Sequence, residues 1–246
     1  MTISGFSFER IPVGDVRLGV AHGGAGPPVV LLHGFPQTHL AWRHVAASLA
    51  RAHRVICPDL RGCGGSDKPP GDYSKRRTAA DVVALARALG HERFALAGHD
   101  RGALVAFRAA LDHPSAVSHL AVLDVIPAVD LWPSLTGTGG VFAFHLFLLA
   151  HPPPLPERLL GAAPPEFFGH FLDAWTRDPQ AIPPPVRAAY LEAASAPEAI
   201  AAASGFRAAL RSGGGVGLVG AGPAGARAGL RALPARTAGG GGRRPA

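Results

Sequence analysis

Asp100 lies between two glycines in the segment GHDRG, which spans residues 98–102. An apolar run typical of a strand ends at Gly98, and a run typical of a helix begins at Arg101, so the segment fits a nucleophile elbow of the form G-x-nucleophile-x-G. At such a turn the glycines make room for strained backbone that exposes the central side chain. The pattern predicts that Asp100 is a nucleophile, and the alternative is that its carboxylate only caps the following helix.

Two further turns carry groups that such a nucleophile would need. In the segment LLHGFPQ the backbone N–H of Phe35 follows a strand-like run, and with the N–H of Arg101 it could stabilise negative charge on a reacting oxygen. In the segment LDVIP, Asp124 follows another strand-like run. Ligands of open α/β sheets bind at the carboxyl ends of the strands, so we expect Phe35, Asp100 and Asp124 to lie together.

The elements that must position these residues alternate along the first half of the chain. Apolar and β-branched runs predict strands, and periodic apolar patterns between them predict helices. The strands are expected at 27–34, 53–60, 93–98 and 118–127, and the helices at 39–52, 78–90 and 101–112. This order predicts an α/β fold with a mostly parallel sheet that is covered by helices on both faces.

The second half of the chain has a different composition. We expect an α/β core over residues 1–127 and a helical lid over 128–210, because the latter region is helical in pattern and interrupted by proline clusters. Residues 211–246 are a low-complexity tail of Gly, Ala, Arg and Pro. The tail segment VGLVGAGPAGARAG matches a dinucleotide fingerprint only by composition, since no strand precedes it and no acidic residue follows.

Composition excludes several functional classes. The chain has 246 residues, of which 48% are hydrophobic and 17% charged, as expected for one globular domain. The net charge of +7 does not indicate a nucleic-acid partner, because six arginines and no acidic residue fall in the tail, away from any predicted folded face. Two cysteines without a pairing pattern, no secretory signal and no apolar span of about 20 residues predict a cytoplasmic protein without a membrane partner.

Residues of about 3 to 209 resemble the α/β-hydrolase superfamily, and within it the fluoroacetate (haloacetate) dehalogenases. The resemblance rests on the segments HGFPQ, DLRGCGGSDKP, GHDRG, ALDHP and AVLDVIP. The residue at position 101 distinguishes the fluoroacetate dehalogenases from related families, because haloalkane dehalogenases and most epoxide hydrolases typically have tryptophan where this sequence has Arg101. The resemblance implies an α/β-hydrolase fold with a helical lid and a small-molecule carboxylate substrate. It also implies that no cofactor or metal is needed, and it is compatible with a homodimer.

The resemblance assigns roles to the residues around the elbow. Asp100 matches the nucleophile that displaces halide to form an ester, and Asp124 matches the acid that orients a catalytic histidine. Arg101 matches the arginine that holds the substrate carboxylate.

The resemblance also assigns residues of the lid to the halide site. His145 and Tyr190 match a histidine and a tyrosine of that site, and Trp175 is expected to face the same cavity. Packing within the lid is the alternative for His145 and Trp175. Leu104 and Leu146 depart from the family pattern, which has a second arginine and a halide-binding tryptophan at these positions. These departures weigh against fluoroacetate itself as the substrate.

The superfamily histidine that hydrolyses the ester comes late in the chain, whereas the last histidine here is His170, within the predicted lid. From the tail composition we expect a frameshifted or truncated gene product that lacks the last strands of the core. The expected function is a haloacetate dehalogenase with an impaired hydrolytic step. The alternatives are an epoxide hydrolase and, outside the enzymes, an inactive truncated remnant.

Overall fold

The computed structural model describes residues 1–126, 131 and 135–211, with side chains up to residue 205. Six strands form one sheet: β1 (Ser7–Val13), β2 (Val16–Gly23), β3 (Pro28–Leu32), β4 (Arg54–Pro58), β5 (Phe94–His99) and β6 (Val117–Leu123). The helices between strands are α1 (Arg43–Leu49), α2 (Lys75–Ala88) and α3 (Arg101–Asp112). After β6 come α4 (Thr138–Phe142), α5 (Phe144–Ala150), α6 (Leu155–Ala162), α7 (Pro164–Ala174), α8 (Pro184–Ser195) and α9 (Pro197–Arg211).

The strands lie in the order β1-β2-β4-β3-β5-β6. Strand β3 pairs in parallel with β4 and β5, and β5 pairs in parallel with β6. Strands β1 and β2 form an antiparallel hairpin, and β2 joins the sheet antiparallel to β4. The carboxyl ends of β3, β5 and β6 therefore meet at one edge, where the sequence predicted the site.

Alternating residues of the central strands face two different hydrophobic clusters. Val30 and Leu32 of β3 pack in a cluster with α2 and α3 on one face of the sheet. Leu31 packs on the opposite face with Trp42 and Ala46, which belong to the segment around α1. Both faces of the sheet are thus covered, which confirms the predicted α/β class and the mostly parallel sheet.

The elements expected from the sequence occur in the predicted order, with two differences. The hairpin of β1 and β2 was not predicted, because β1 is mostly exposed and has no clear apolar alternation. The helix expected over 39–52 begins instead as a 3-10 turn, His39–Trp42, and its α-helical part ends at Leu49.

The predicted boundary between core and lid falls at residues that the structure does not describe, and so does the tail beyond Arg211. The division into 1–127, 128–210 and 211–246 therefore stays a prediction, as does the absence of further core strands. Within the described chain β6 is an edge strand of the sheet, and Val122 and Leu123 are about half exposed.

A buried ion-pair network connects the turn after β4 to helix α2. The Arg61 guanidinium donates two hydrogen bonds to Asp81, at 2.7 and 2.9 Å, and two to Asp15, at 2.7 and 3.3 Å. The side chains of Arg61 and Asp81 are 3% and 5% exposed. Hydrogen bonds from Arg61 hold the pKa of the Asp15 carboxyl well below its usual value. The network fixes the turn that begins with Asp59, and residues 62–64 of this turn line a cavity beside Arg101.

We predict that Arg61→Leu lowers the free energy of unfolding by about 3 kcal/mol, because it removes the main partner of the buried Asp81 carboxylate. Arg87→Leu is the matched control, since Arg87 pairs with Glu92 in an exposed position and should change stability by less than about 1 kcal/mol. Chemical denaturation followed by circular dichroism measures both. Equal losses in the two variants would contradict the importance of the network.

Candidate active site

Asp100 sits at a strained turn between β5 and α3, as the glycine pattern predicted. Its backbone has φ 49° and ψ −117°, in a region that residues other than glycine rarely adopt. A Cβ on Gly98 would collide with the carbonyl oxygen of Gly102, and a Cβ on Gly102 would collide with that of Leu32. The two glycines therefore let β5, α3 and the end of β3 approach closely enough to form the elbow.

The Asp100 carboxylate does not cap helix α3, so the capping alternative is wrong. Its Oδ2 atom instead accepts a 2.7 Å hydrogen bond from the backbone N–H of Phe35. This is the N–H that the sequence predicted as a donor for negative charge. One carboxylate oxygen is thus held by the turn after β3, at the place where a reacting oxygen would be stabilised.

His33 holds the turn that presents the Phe35 N–H. Its ring is fully buried, its Nδ1 lies 2.9 Å from the carbonyl oxygen of Gly34, and its Nε2 accepts a 3.1 Å hydrogen bond from the N–H of Leu60. Burial lowers the pKa of His33, so the ring is neutral and donates from Nδ1. His33 thereby connects the turns that follow β3 and β4.

The carboxyl ends of β5 and β6 bring His99 and Asp124 together beside the elbow. His99 Nε2 lies 3.6 Å from Asp124 Oδ2, and the N–H of Asp100 donates to the carbonyl oxygen of Leu123 at 3.1 Å. Asp124 also has a positive φ, of 51°, and its side chain is 88% exposed. Asp124 follows β6 at the strand end that the sequence predicted, whereas His99 was not predicted for the site.

A cavity of about 600 Å³ opens at this edge of the sheet, between the elbow and the helices that follow β6. Five residues predicted for the site line it: Phe35, Asp100, Asp124, His145 and Trp175. Leu104 and Leu146, where the sequence departs from the dehalogenase pattern, line it as well. Both departures therefore make the wall of this cavity more apolar.

His145 and Trp175 line the cavity and also pack within the helical segment, so neither of their two predicted roles is excluded. The His145 ring stacks on Phe35 with 5.6 Å between centroids and meets Trp175 edge-on at 5.1 Å. Phe171 contacts both rings. These aromatic contacts fix the orientation of His145 above the elbow.

Two residues predicted for the site lie apart from the Asp100 cavity. The Arg101 guanidinium lies over the Phe35 ring, 5.2 Å from its centroid, and lines a smaller cavity together with Cys63. Tyr190 is buried in the cluster that contains Trp42, and burial raises the pKa of its hydroxyl to about 12. Phe35 lines both cavities and separates Arg101 from Asp100.

No group of three or more His, Cys, Asp or Glu side chains is arranged to hold a metal ion in the part of the chain that the structure describes. Over the same residues, every helix is too short or too polar to cross a lipid bilayer.

Known proteins match this chain over most of its folded part. Residues 27–173 match the family model of the alpha/beta hydrolase fold. A fluoroacetate dehalogenase from Burkholderia sp is 44% identical over 176 residues, and the match covers 70% of this chain and 58% of that protein. A soluble epoxide hydrolase from Corynebacterium sp. (strain C12) is 43% identical over 117 residues, which cover 48% of this chain and 41% of the relative.

Solved structures share the fold. Cfl2 from Burkholderia cenocepacia superposes with a TM-score of 0.79 at 33% identity, and the match covers 85% of this chain and 73% of that one. The chain thus spans 58% of the dehalogenase relative and a larger share of this structure. By its sequence, its sheet topology and its elbow, the chain belongs to the alpha/beta hydrolase family.

Proposed function

We propose that this protein displaces halide from short 2-haloacids, with Asp100 as the nucleophile. The observation that carries the proposal is the Asp100 carboxylate at a strained elbow, with Oδ2 on the Phe35 N–H and the cavity in front of it. A carboxylate held in this way attacks carbon without needing a base. The similarity to a fluoroacetate dehalogenase supports the same reaction class.

Because only Oδ2 of Asp100 accepts the hydrogen bond from the Phe35 N–H, the two carboxylate oxygens have different roles in the proposed reaction. Oδ2 stays bound to the N–H at 2.7 Å, so Oδ1 is the oxygen that attacks the halogen-bearing carbon. Halide leaves with its bonding electrons, and an ester links Asp100 to the substrate. When that ester is hydrolysed, negative charge develops on Oδ2, where the Phe35 N–H stabilises it.

Leu104 and Leu146 influence which halide the proposed reaction can release. Both line the Asp100 cavity with apolar side chains, which offer no hydrogen bond to a departing halide. Fluoride depends on such donors more than chloride or bromide, since it is the poorest leaving group of the three. We therefore propose chloro- and bromoacids as substrates in preference to fluoroacids.

Hydrolysis of the ester is the slower half of the proposed reaction. It needs a general base, and typical bases contribute about 10²–10⁴-fold. We propose that the ester accumulates on Asp100 during turnover. The unpaired cysteines Cys57 and Cys63 support the cytoplasm as the place of this activity.

Epoxide hydrolysis is the second candidate, because an epoxide hydrolase is 43% identical to part of the chain. Opening an epoxide requires an acid that protonates the oxygen, and tyrosine is the usual donor in those enzymes. Tyr190 is 1% exposed, and burial raises its pKa to about 12, which makes it a poor donor to a substrate beside Asp100. A diol product from styrene oxide, without halide release from bromoacetate, would favour this second function.

We predict that bromoacetate releases a burst of about one bromide per chain and leaves an ester adduct on Asp100. Asp100→Asn should abolish both the burst and the adduct, because an amide does not attack carbon. Rapid-quench bromide assay and intact-mass spectrometry measure them. Asp173→Asn is the control, since Asp173 pairs with Arg187 in an exposed position and should retain the burst. A burst of equal size in Asp100→Asn would refute the proposal.

The proposed role of Arg101 is to recognise the substrate carboxylate once the Phe35 ring, which lies between its guanidinium and Asp100 in this structure, moves aside. Arg101→Gln should raise the bromoacetate concentration for half-maximal burst rate by about tenfold or more, because a charge-assisted hydrogen bond is lost. Bromoacetamide has no carboxylate, so the same variant should react with it as the unmodified chain does. An equal change with both compounds would mean that Arg101 acts on the structure of the elbow instead.

A further inference from the structure

The Phe35 ring lies on the boundary between the two cavities beside the elbow. Phe35 lines the cavity of about 600 Å³ that contains Asp100, and it also lines the smaller cavity that contains Arg101. The smaller cavity has a volume of about 30 Å³, which is room for about two waters. A haloacid is larger than that, so its carboxylate does not reach the Arg101 guanidinium while the ring is in this position.

The Arg101 guanidinium is held by weak contacts that a carboxylate can replace. Arg101 is 5% exposed, and its Cζ lies 5.2 Å from the centroid of the Phe35 ring, within the range of a cation–π contact. Its Nη1 lies 4.0 Å from Cys63 Sγ, which is a weak acceptor. A carboxylate makes two parallel charge-assisted hydrogen bonds with a guanidinium, and these are stronger than a contact with an aromatic face. A substrate carboxylate therefore displaces the ring from Arg101.

The space for movement is on the side of the ring. The Asp100 cavity adjoins Phe35 and is far larger than the cavity beside Arg101. Arg101 is the first residue of α3 and follows the elbow directly, so the contacts of that turn fix its backbone. The Phe35 backbone also stays in place, because its N–H holds Asp100 Oδ2. Rotation of Phe35 about its side-chain bonds therefore uncovers the guanidinium and leaves the N–H where it is.

Contacts with the helical segment oppose movement of the ring. The Phe35 ring stacks on His145 with 5.6 Å between centroids, and its centroid lies 5.7 Å from that of Phe168 and 5.6 Å from that of Phe171. Aromatic pairs of this kind stabilise the ring where it is. A ligand opens the site only if it gains more in the open position than these contacts lose. A carboxylate gains an ion pair with Arg101, whereas an amide of the same shape gains none.

We propose that the Phe35 ring is a gate over Arg101, which the guanidinium holds closed and the carboxylate of the substrate opens. The gate is the ring in two positions, over the guanidinium as in this structure or rotated away from it. The inference rests on the proposed function for the identity of the substrate, and on the contacts of Phe35 for the gate. Phe35 then has two parts in the reaction: its N–H holds Asp100, and its ring lets the carboxylate site form only when a substrate binds.

Fluorine NMR tests the gate without any chemistry, on the full chain with para-fluorophenylalanine in place of Phe35. Propionate has no leaving group and should shift the fluorine resonance in a saturable way, whereas propionamide should not. The same labelled chain with Arg101→Gln should lose the response to propionate. The matched control carries the label in place of Phe167, which lines neither cavity, and its resonance should stay unchanged. No response to propionate at position 35, or an equal response to propionamide, would overturn the gate.

Burst kinetics provide a second readout, the concentrations of bromoacetate and bromoacetamide that give the half-maximal burst rate. Phe35→Leu keeps the backbone N–H and an apolar side chain but removes the aromatic face from Arg101. The bromoacetate concentration should fall by about threefold or more, because the carboxylate no longer displaces the ring, and the bromoacetamide concentration should fall less. Combined with Arg101→Gln, Phe35→Leu should lose this preference. Equal changes with both compounds would mean that the ring only supports the fold.

The outcomes separate the two proposals. A fluorine response to propionate without a bromide burst from bromoacetate would overturn the proposed function and support Phe35 as the gate of a carboxylate site. A normal burst without a fluorine response would overturn the gate alone and leave Asp100 as the proposed nucleophile. Absence of both the burst and the response would overturn both proposals.

Discussion

The close approach of three backbone segments at the elbow is the constraint on which the site depends. Gly98 lies against the carbonyl of Gly102, and Gly102 lies against the carbonyl of Leu32, with no space for a side chain at either glycine. This contact holds Asp100 at a positive φ, which costs about 1–3 kcal/mol and persists only where the surrounding structure enforces it. The packing of α3 on β5 and β6 provides that enforcement.

A second layer of buried polar groups holds the turns that face the elbow. Asp59 is 1% exposed and accepts hydrogen bonds from the N–H and Nδ1 of His39 and from the N–H of Gly65. Although burial opposes ionisation, these bonds hold the pKa of Asp59 below its usual value. Asp59 therefore contributes stability that is present above its unfolded pKa and is lost as the pH falls through its folded pKa. Acid should loosen these turns along with the rest of the fold.

The residues around Asp100, the proposed nucleophile, give the cavity a polar side and an apolar side. His99 and Asp124 border Asp100 at the strand ends, whereas Leu104, Leu146 and the aromatic residues of the helical segment form the rest of the wall. The proposed reaction needs hydrogen-bond donors for the ester carbonyl and a general base for the water, and it needs them on only one side of the cavity. The alkyl part of a small substrate gains from the apolar contacts on the other side. Such an arrangement supports the proposed displacement at carbon rather than recognition of a large polar ligand.

The local pattern of apolar residues and glycines in the sequence was sufficient to predict much of the architecture. The strand order along the chain, the parallel class of the central strands and the elbow at Asp100 follow from apolar runs and from two glycines at a fixed spacing. The β1–β2 hairpin was missed because β1 is largely exposed and shows little alternation. The 3-10 turn at His39–Trp42 was missed because it shares the apolar spacing of the helix that follows.

The sequence by itself determined which residue is at the elbow and which residues end the neighbouring strands, because backbone geometry there follows from local residue types. Only the tertiary structure decided where the side chains point. It placed His99 against Asp124, set Arg101 behind the Phe35 ring and buried Tyr190 beside Trp42. The physical reason is that these directions depend on packing between segments far apart in the chain, which no local pattern records.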